Sequence, residues 1–367
     1  MKILNISLEK KLFEENSKSR ERVVNYAPLF ERYDLIVLTK KSKQTIQSGN
    51  MQIVPTNSFS KLNYLVDAYF LGKKLIEKYK YDVISSQDPF ELGFLAWLLA
   101  KRYGLKLQVQ MHGDYFGSRY WLEEHFFNRL KFYLGKFLIK KADGVRVVSQ
   151  RTKESLIKLG LSASKIVVIP VYAQISDKSL EIKKIKTEGK FIFLTVGRLV
   201  NVKNIALQIE AMAEILKTNP QTELWIVGDG PEKNKLKKLS QQLKISDNIK
   251  FWGWQDDLEK FYGGADAFLL TSNYEGWGVV VIEAVSFDLP IIMTDVGCAG
   301  EIIKNEESGA VIKIGDKEAL TSAMLRIILD QDFNSKIVTD AKKLVLALPN
   351  LEQNLAWYKK SFEDLMK

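Results

Sequence analysis

Ala267-Phe268-Leu269-Leu270-Thr271-Ser272-Asn273-Tyr274-Glu275-Gly276-Trp277-Gly278-Val279-Val280-Val281-Ile282-Glu283-Ala284 passes from a short apolar run, through a polar loop with two glycines, into a second apolar stretch. A bounded apolar run of this kind predicts a buried strand, and the stretch beyond the glycines predicts a helix. The same succession recurs along the chain. Strands are predicted at 2–7, 34–39, 51–54, 82–85, 106–111, 144–149 and 166–169 in the first half. In the second half they are predicted at 191–196, 223–227, 249–252, 267–271, 290–294 and 310–312. Short apolar strands alternating with helical periodicity predict α/β architecture, with parallel sheets covered by helices. The charged segment 176–190 has little to bury and is the expected linker.

A chain of 367 residues, 46% of them apolar, is long enough for two domains of this type. The expected boundaries are 1–180 and 181–349, with a C-terminal helix at about 350–367 packing back on the first domain. The longest unbroken apolar run, 94–100, is too short to span a bilayer, and the charged residues after Ser7 do not fit a signal peptide. A cytoplasmic protein is therefore expected. One cysteine, Cys298, permits no internal disulfide, and two histidines do not build the usual zinc site, so no metal is expected. The net charge of +10 is uneven: residues 1–180 hold 30 Lys+Arg against 17 Asp+Glu, whereas 181–367 hold 24 against 27. The first half is thus expected to meet an anionic partner, a merely soluble basic surface being the alternative.

Ligands of open parallel sheets sit where strands end and helix N-termini begin. Three such loops in the second half hold candidate residues. Gly197 to Asn204 places Arg198 and Lys203 at a helix start, where two cations suit a diphosphate. Gly228-Asp229-Gly230-Pro231 follows another strand; its glycines permit a tight turn and close approach to a ring, though an ordinary strand-to-helix turn has the same composition. Trp252 and Trp254 serve either base stacking or packing. The third loop sets Glu275 before a helix and Glu283 on its first turns, with Gly276 and Gly278 exposing backbone N–H groups to sugar or phosphate oxygens.

Glu275 and Glu283 with seven residues between them, Gly197-Arg198 with Lys203, the 228–231 turn, Phe251-Trp252-Gly253, and Thr294-Asp295-Val296-Gly297 with Glu301 resemble, in order and spacing, glycosyltransferase family 4. The resemblance is dense from about 190 to 313. It implies a GT-B fold: two Rossmann-like doubly wound domains facing across a cleft, the acceptor bound by the first and the sugar-nucleotide donor by the second. It also implies a retaining, metal-independent hexosyl transfer from a nucleotide-diphosphate sugar such as a UDP- or GDP-sugar, with no separate cofactor. The acceptor expected is a glycan or a lipid-linked glycan, in polysaccharide or glycolipid assembly.

On this resemblance Arg198 and Lys203 hold and stabilise the leaving diphosphate, Glu275 contacts the transferred sugar, and Glu283 binds the ribose. The backbone of Gly276, Trp277, Gly278 and Val279 meets sugar and phosphate, while Gly228, Asp229, Gly230, Trp252 and Trp254 surround the base. His112, after the predicted strand 106–111, takes the family's place near the anomeric centre; His125 is read as an ordinary helix residue. Two features depart from the family. Residues 8–20 lack the expected Gly-rich loop, so Ser17 to Arg20 either substitute with side chains or form an ordinary capped helix start. Pro170-Val171-Tyr172-Ala173 replaces the usual turn before the linker.

A single helix is predicted at 119–141, with Leu122, Phe126, Leu130, Tyr133 and Phe137 on one face and five cations elsewhere; a second basic, aromatic segment runs from 61 to 80. These faces either dock on an anionic membrane, giving peripheral association with its inner surface, or pack as ordinary core helices. No nucleic-acid motif accompanies the charge. Competing readings are a sugar-nucleotide epimerase, a soluble glucan synthase or phosphorylase, and a catalytically inert binding protein of the same fold.

Overall fold

The computed structural model describes residues 1–41, 43–173 and 189–367, so the expected linker falls almost entirely outside the described residues. The chain divides into two compact units: Met1–Pro170 with Pro349–Lys367, and Val171–Leu348.

The first unit holds eight strands: β1 (Lys2–Ser7), β2 (Arg32–Val37), β3 (Ile46–Ser48), β4 (Met51–Pro55), β5 (Val83–Ser86), β6 (Lys106–Met111), β7 (Gly144–Val147) and β8 (Ile166–Val168). Their order across the sheet is β3-β4-β2-β1-β5-β6-β7-β8. All pairs are parallel except β3 with β4, a short antiparallel hairpin strand that the apolar pattern does not announce because two of its three residues are exposed. The predicted strand at 144–149 ends two residues early. Ser149 instead caps the helix Gln150–Lys158, its hydroxyl accepting from the Thr152 N–H.

One face of this sheet is covered by the helices Tyr64–Tyr79, Glu91–Tyr103 and Phe126–Lys141, over a core that includes Leu4, Ile36, Ile84, Leu95 and Val109. The other face carries Lys18–Tyr26 and the C-terminal helix Leu351–Glu363, whose Tyr358 and Phe362 pack among Tyr26, Phe30 and Tyr33. Tyr26 stacks on Tyr358 with centroids 3.8 Å apart, so the last helix is part of the first unit's core.

The predicted helix at 119–141 is two helices, Arg119–Glu124 and Phe126–Lys141. His125 between them is extended (φ −140°, ψ 138°), which corrects its reading as a helix residue; the Asn128 amide donates to the Trp121 carbonyl across the break. The buried face of the second helix also differs from a core reading of the aromatic stripe. Asn128, Gly135, Leu138 and Ile139 face inward. At Gly135 a Cβ would lie 2.9 Å from the rings of Phe90 and Phe116, so those rings occupy the space that a side chain would take. That close approach leaves Phe126, Leu130 and Tyr133 in water, 87%, 69% and 71% exposed.

The second unit has six parallel strands: β9 (Phe191–Val196), β10 (Thr222–Val227), β11 (Ile249–Gly253), β12 (Ala267–Leu270), β13 (Ile291–Thr294) and β14 (Ala310–Ile312). The order β11-β10-β9-β12-β13-β14 is that of a doubly wound dinucleotide-binding sheet. Chain direction across the sheet reverses between β9 and β12, and in the first unit between β1 and β5. At such switch points the loops diverge to opposite faces and leave a crevice at the strands' carboxyl ends.

Candidate active site

Two loops flank the switch point of the second sheet. The loop after β9 turns through Asn201–Lys203 and enters the helix Ile205–Ile215; the loop after β12 enters the helix Val279–Ser286. Neither helix has a side-chain cap on its first N–H groups, which leaves donors aimed into the crevice. Gly278, at the start of the second helix, has φ +90°, a backbone state that disfavours any Cβ.

The loops are tied together beneath the crevice. Buried Thr271 donates to the Lys203 and Asn204 carbonyls and accepts from Gln208, and the Asn273 N–H donates to the Val202 carbonyl. Above this frame Lys203 forms an ion pair with Glu275, and the Ser272 hydroxyl donates to the same carboxylate oxygen at 2.8 Å. Lys203 and Glu275 are both mostly buried, so the pair is shielded from the screening that weakens surface pairs. Arg198 is exposed and its guanidinium makes no hydrogen bond or ion pair among the described residues.

Gly228 and Gly230 have a structural task. A Cβ on Gly228 would lie 1.9 Å from the Gly197 carbonyl oxygen, and one on Gly230 would lie 2.4 Å from that of Leu199. Two backbones touch here, and only glycine fits. Main-chain bonds lock the contact: Leu199 N–H to Asp229 O, and Glu232 N–H to Leu199 O. The turn therefore sets the loop that carries Arg198. Asp229 itself points outward and pairs with Lys233, which holds its carboxyl below the usual range. The helix after this turn begins at Lys233, so Pro231 precedes it and does not lie inside its first turn.

Glu283 accepts a 2.9 Å hydrogen bond from the hydroxyl of buried Tyr262. Burial and this carboxylate push the Tyr262 hydroxyl well up, so it remains a donor. Trp252 packs edge-to-face on Trp225 and Phe261, whereas Trp254 is 56% exposed and donates to Asp256. Trp277 is buried, its carbonyl accepts from the Cys298 N–H, and its indole N–H has no partner among the described residues.

His112 belongs to the first unit. Its Nε2 lies 2.8 Å from Gln87 Oε1. Burial, and then the nearby charges of Arg146 and Arg22, push its pKa down to about 3, so the imidazole is neutral. The structure thus brings Lys203, Glu275 and the uncapped helix starts together, and adds Ser272, Tyr262, Thr271 and Gln208 as partners. Ser272 sits three residues before Glu275 at a strand end and could have been suspected; nothing in sequence spacing links Tyr262 to Glu283. Among the described residues no group of three His, Cys, Asp or Glu side chains converges as metal ligands.

Comparison with known proteins agrees with this geometry. Residues 177–344 match the family described as glycosyl transferases group 1, and residues 29–171 match glycosyltransferase family 4. The lipopolysaccharide core biosynthesis glycosyltransferase LpsE of Rhizobium meliloti is 31% identical over 146 residues, 40% of this chain and 42% of that protein. The UDP-Gal:alpha-D-GlcNAc-diphosphoundecaprenol alpha-1,3-galactosyltransferase of Escherichia coli is 28% identical over 274 residues, 71% of this chain and 70% of the relative. Among solved structures, sucrose-phosphate synthase from Thermosynechococcus elongatus superposes with TM-score 0.84 at 20% identity over 100% of this chain and 99% of that one. Anabaena HepE in complex with UDP gives 0.76 at 17% identity over 99% and 100%. Two family models that divide most of the chain between them, on two doubly wound sheets, place this protein in family 4 of the GT-B glycosyltransferases.

Proposed function

We propose that the protein transfers a hexose from a nucleotide-diphosphate sugar to a glycan or lipid-linked acceptor, with retention of configuration and without a metal ion. The observation that carries this reading is the meeting of Lys203 and Glu275 at the switch point of the second sheet, beside two uncapped helix starts. Arg198, Lys203 and the helix N–H groups hold the diphosphate and disperse its charge as it leaves. Glu275 receives hydroxyls of the transferred sugar, Glu283 the ribose, and the loops around Gly228 to Gly230 and Trp252 to Trp254 border the base. The anomeric carbon–oxygen bond to the diphosphate breaks while the acceptor oxygen bonds that carbon on the same face, and the acceptor proton passes to the leaving phosphate oxygen. His112, neutral and held by Gln87, orients sugar hydroxyls near that centre.

Likeness to a chain solved with UDP supports a nucleotide-sugar donor, and the E. coli relative's named diphosphoundecaprenol substrate supports a lipid-linked acceptor. The acceptor is approached from an anionic membrane. Phe126, Phe127, Leu130 and Tyr133 are exposed on a helix that also carries Arg129, Lys131, Lys136, Lys140 and Lys141, and Leu62, Val66 and Phe70 are exposed on the basic, aromatic segment 61–80. No described helix is long and apolar enough to cross a membrane.

A thermal-shift screen of nucleotides and nucleotide sugars tests the donor reading. The matching donor stabilises the fold by roughly 2.7 kcal/mol at a hundredfold excess over its Kd. No shift with any nucleotide would overturn it, and sugar interconversion without an acceptor would favour an epimerase.

A further inference from the structure

The switch point of the first sheet holds a cavity of about 440 Å³, within the range of small-molecule sites. Ser7 at the end of β1 and Glu9 beyond it, Gln87 and Asp88 after β5, Gln110 of β6 and His112 just past it, Arg146 of β7, Arg22 and Tyr358 line it. All belong to one unit.

Arg146 is the unusual member. It is 3% exposed, yet no carboxylate pairs with it among the described residues. One Nη donates to Gln110 Oε1 at 2.8 Å and the other to the Ile169 carbonyl at 3.3 Å, the Tyr358 ring lies 5.1 Å from the guanidinium carbon, and Nε has no acceptor among the described residues. A buried guanidinium without a counter-charge is expensive, because neutral acceptors recover only part of its lost hydration. Arg22, half-buried on the wall of the same cavity, also makes no ion pair or hydrogen bond through its side chain among the described residues. The two acids nearby are otherwise engaged: Glu9 accepts from the Lys11 N–H and Asp88 from the Phe90 N–H. Further along the same sheet face, Asn5 is fully buried with neither amide atom paired among the described residues.

Positions are fixed around the arginine. Tyr358 and Tyr33 hydroxyls lie 2.8 Å apart, and Gln110 Nε2 donates to both Tyr358 and Ser85. Tying β7 to its neighbours uses only part of Arg146's five N–H donors. A planar guanidinium suits a carboxylate or phosphate, and a second one at the wall suits its remaining oxygens.

We infer that this cavity is an anion subsite, in which Arg22 and Arg146 receive a carboxylate or phosphate borne by the acceptor. The inference rests on the transferase reading, and gives its acceptor a negative charge next to the sugar that is extended. The charge has two chemical sources: an acidic sugar, or the diphosphate of a lipid carrier.

Titrations of the full chain, with UDP saturating the donor site, distinguish them. The probes are methyl glucuronide, farnesyl diphosphate and, as neutral control, methyl glucoside. At least one charged probe should bind tenfold or more tightly than the glucoside, and Arg22→Gln should remove about tenfold of that affinity while UDP binding is unchanged. Arg146→Met should abolish the discrimination; if it does not fold, Arg22→Gln decides alone. Preference for the glucuronide assigns an acidic sugar, and preference for farnesyl diphosphate assigns the carrier. Equal binding of charged and neutral probes, or an Arg22→Gln affinity equal to wild type, would overturn the inference. UDP binding in that case leaves the transferase reading standing, whereas loss of UDP binding by the wild type refutes that reading itself.

Discussion

Lys203 donates to Glu275 across two loops whose residues are 72 positions apart, with the Ser272 hydroxyl on the same carboxylate oxygen. The pair is preorganised by the Thr271 and Gln208 bonds below it, so the ammonium is already in place when a donor arrives. It also sets the carboxylate and an incoming phosphate in competition for one cation.

Glu275→Gln separates these roles. The neutral amide weakens its hold on Lys203 without changing side-chain volume, so UDP should bind as tightly as to wild type or more tightly. Transfer should fall about 100- to 1000-fold, the range seen when one charge-stabilising group is removed. Calorimetric UDP affinity beside single-turnover transfer checks this; wild-type transfer rates in the variant would remove Glu275 from the chemistry.

Arg198 is exposed and makes no pair among the described residues, so Arg198→Ala should leave the melting temperature within about 1 °C, as for surface changes worth under about 0.5 kcal/mol. Donor affinity and rate should both drop tenfold or more, since a phosphate contact from a charged donor is lost. Equal kinetics would place the diphosphate elsewhere.

Much of this was legible in the chain, and the parts that were not share a cause. Strand–glycine–helix succession announced both sheets, and loop position announced Lys203 and Glu275, because ligand sites of doubly wound sheets follow from topology. The two readings of Gly228 and Gly230 stay undivided in sequence because a backbone touching another backbone uses the same residue type as a backbone touching a ligand; the structure shows the first contact. Tyr262 was invisible because 21 residues and a change of element separate it from Glu283. The stripe of Phe126–Lys141 stayed ambiguous because helical periodicity identifies an apolar face without saying whether core or solvent meets it, and it is Gly135 that turns the opposite face inward.

Tyr262→Phe tests the ribose-side carboxylate. Losing a hydrogen bond to a charged group costs about 1.5 kcal/mol, which is roughly a tenfold loss of UDP affinity if Glu283 loses its orientation. The ring stays buried and continues to stack on Phe287 at 5.4 Å, so the fold should persist. Unchanged affinity with lowered stability would make the bond purely structural.

Two groups of the first unit should bend the pH dependence of stability in opposite directions. His112 has its pKa pushed down to about 3 from 6.5 by burial and by Arg146 and Arg22, so between those values the unfolded chain binds the extra proton and stability rises with pH. Asp88 is raised to about 6 from 3.8 by burial, so the folded chain binds the extra proton there and stability falls as pH rises through that window. His112→Gln should therefore flatten the rise in melting temperature from pH 4 to 6, and Asp88→Asn should steepen it. Parallel profiles for both variants and wild type would mean that neither group is desolvated as the structure places it.

Phe126, Phe127 and Leu130 present more apolar surface to water than a solitary exposed residue requires, beside five cations of the same helix. Changing all three to Ser removes no core contact, because the buried face is Asn128, Gly135, Leu138 and Ile139, and should leave thermal stability unaltered or slightly raised. Binding to vesicles containing anionic lipid should fall tenfold or more, as should transfer to a membrane-embedded acceptor. Transfer to a water-soluble acceptor analogue should persist, because the substitutions lie outside the donor loops. If the wild-type protein does not co-sediment with anionic vesicles at low salt, where the attraction of basic residues is least screened, the face has another partner and the acceptor reaches the site from solution.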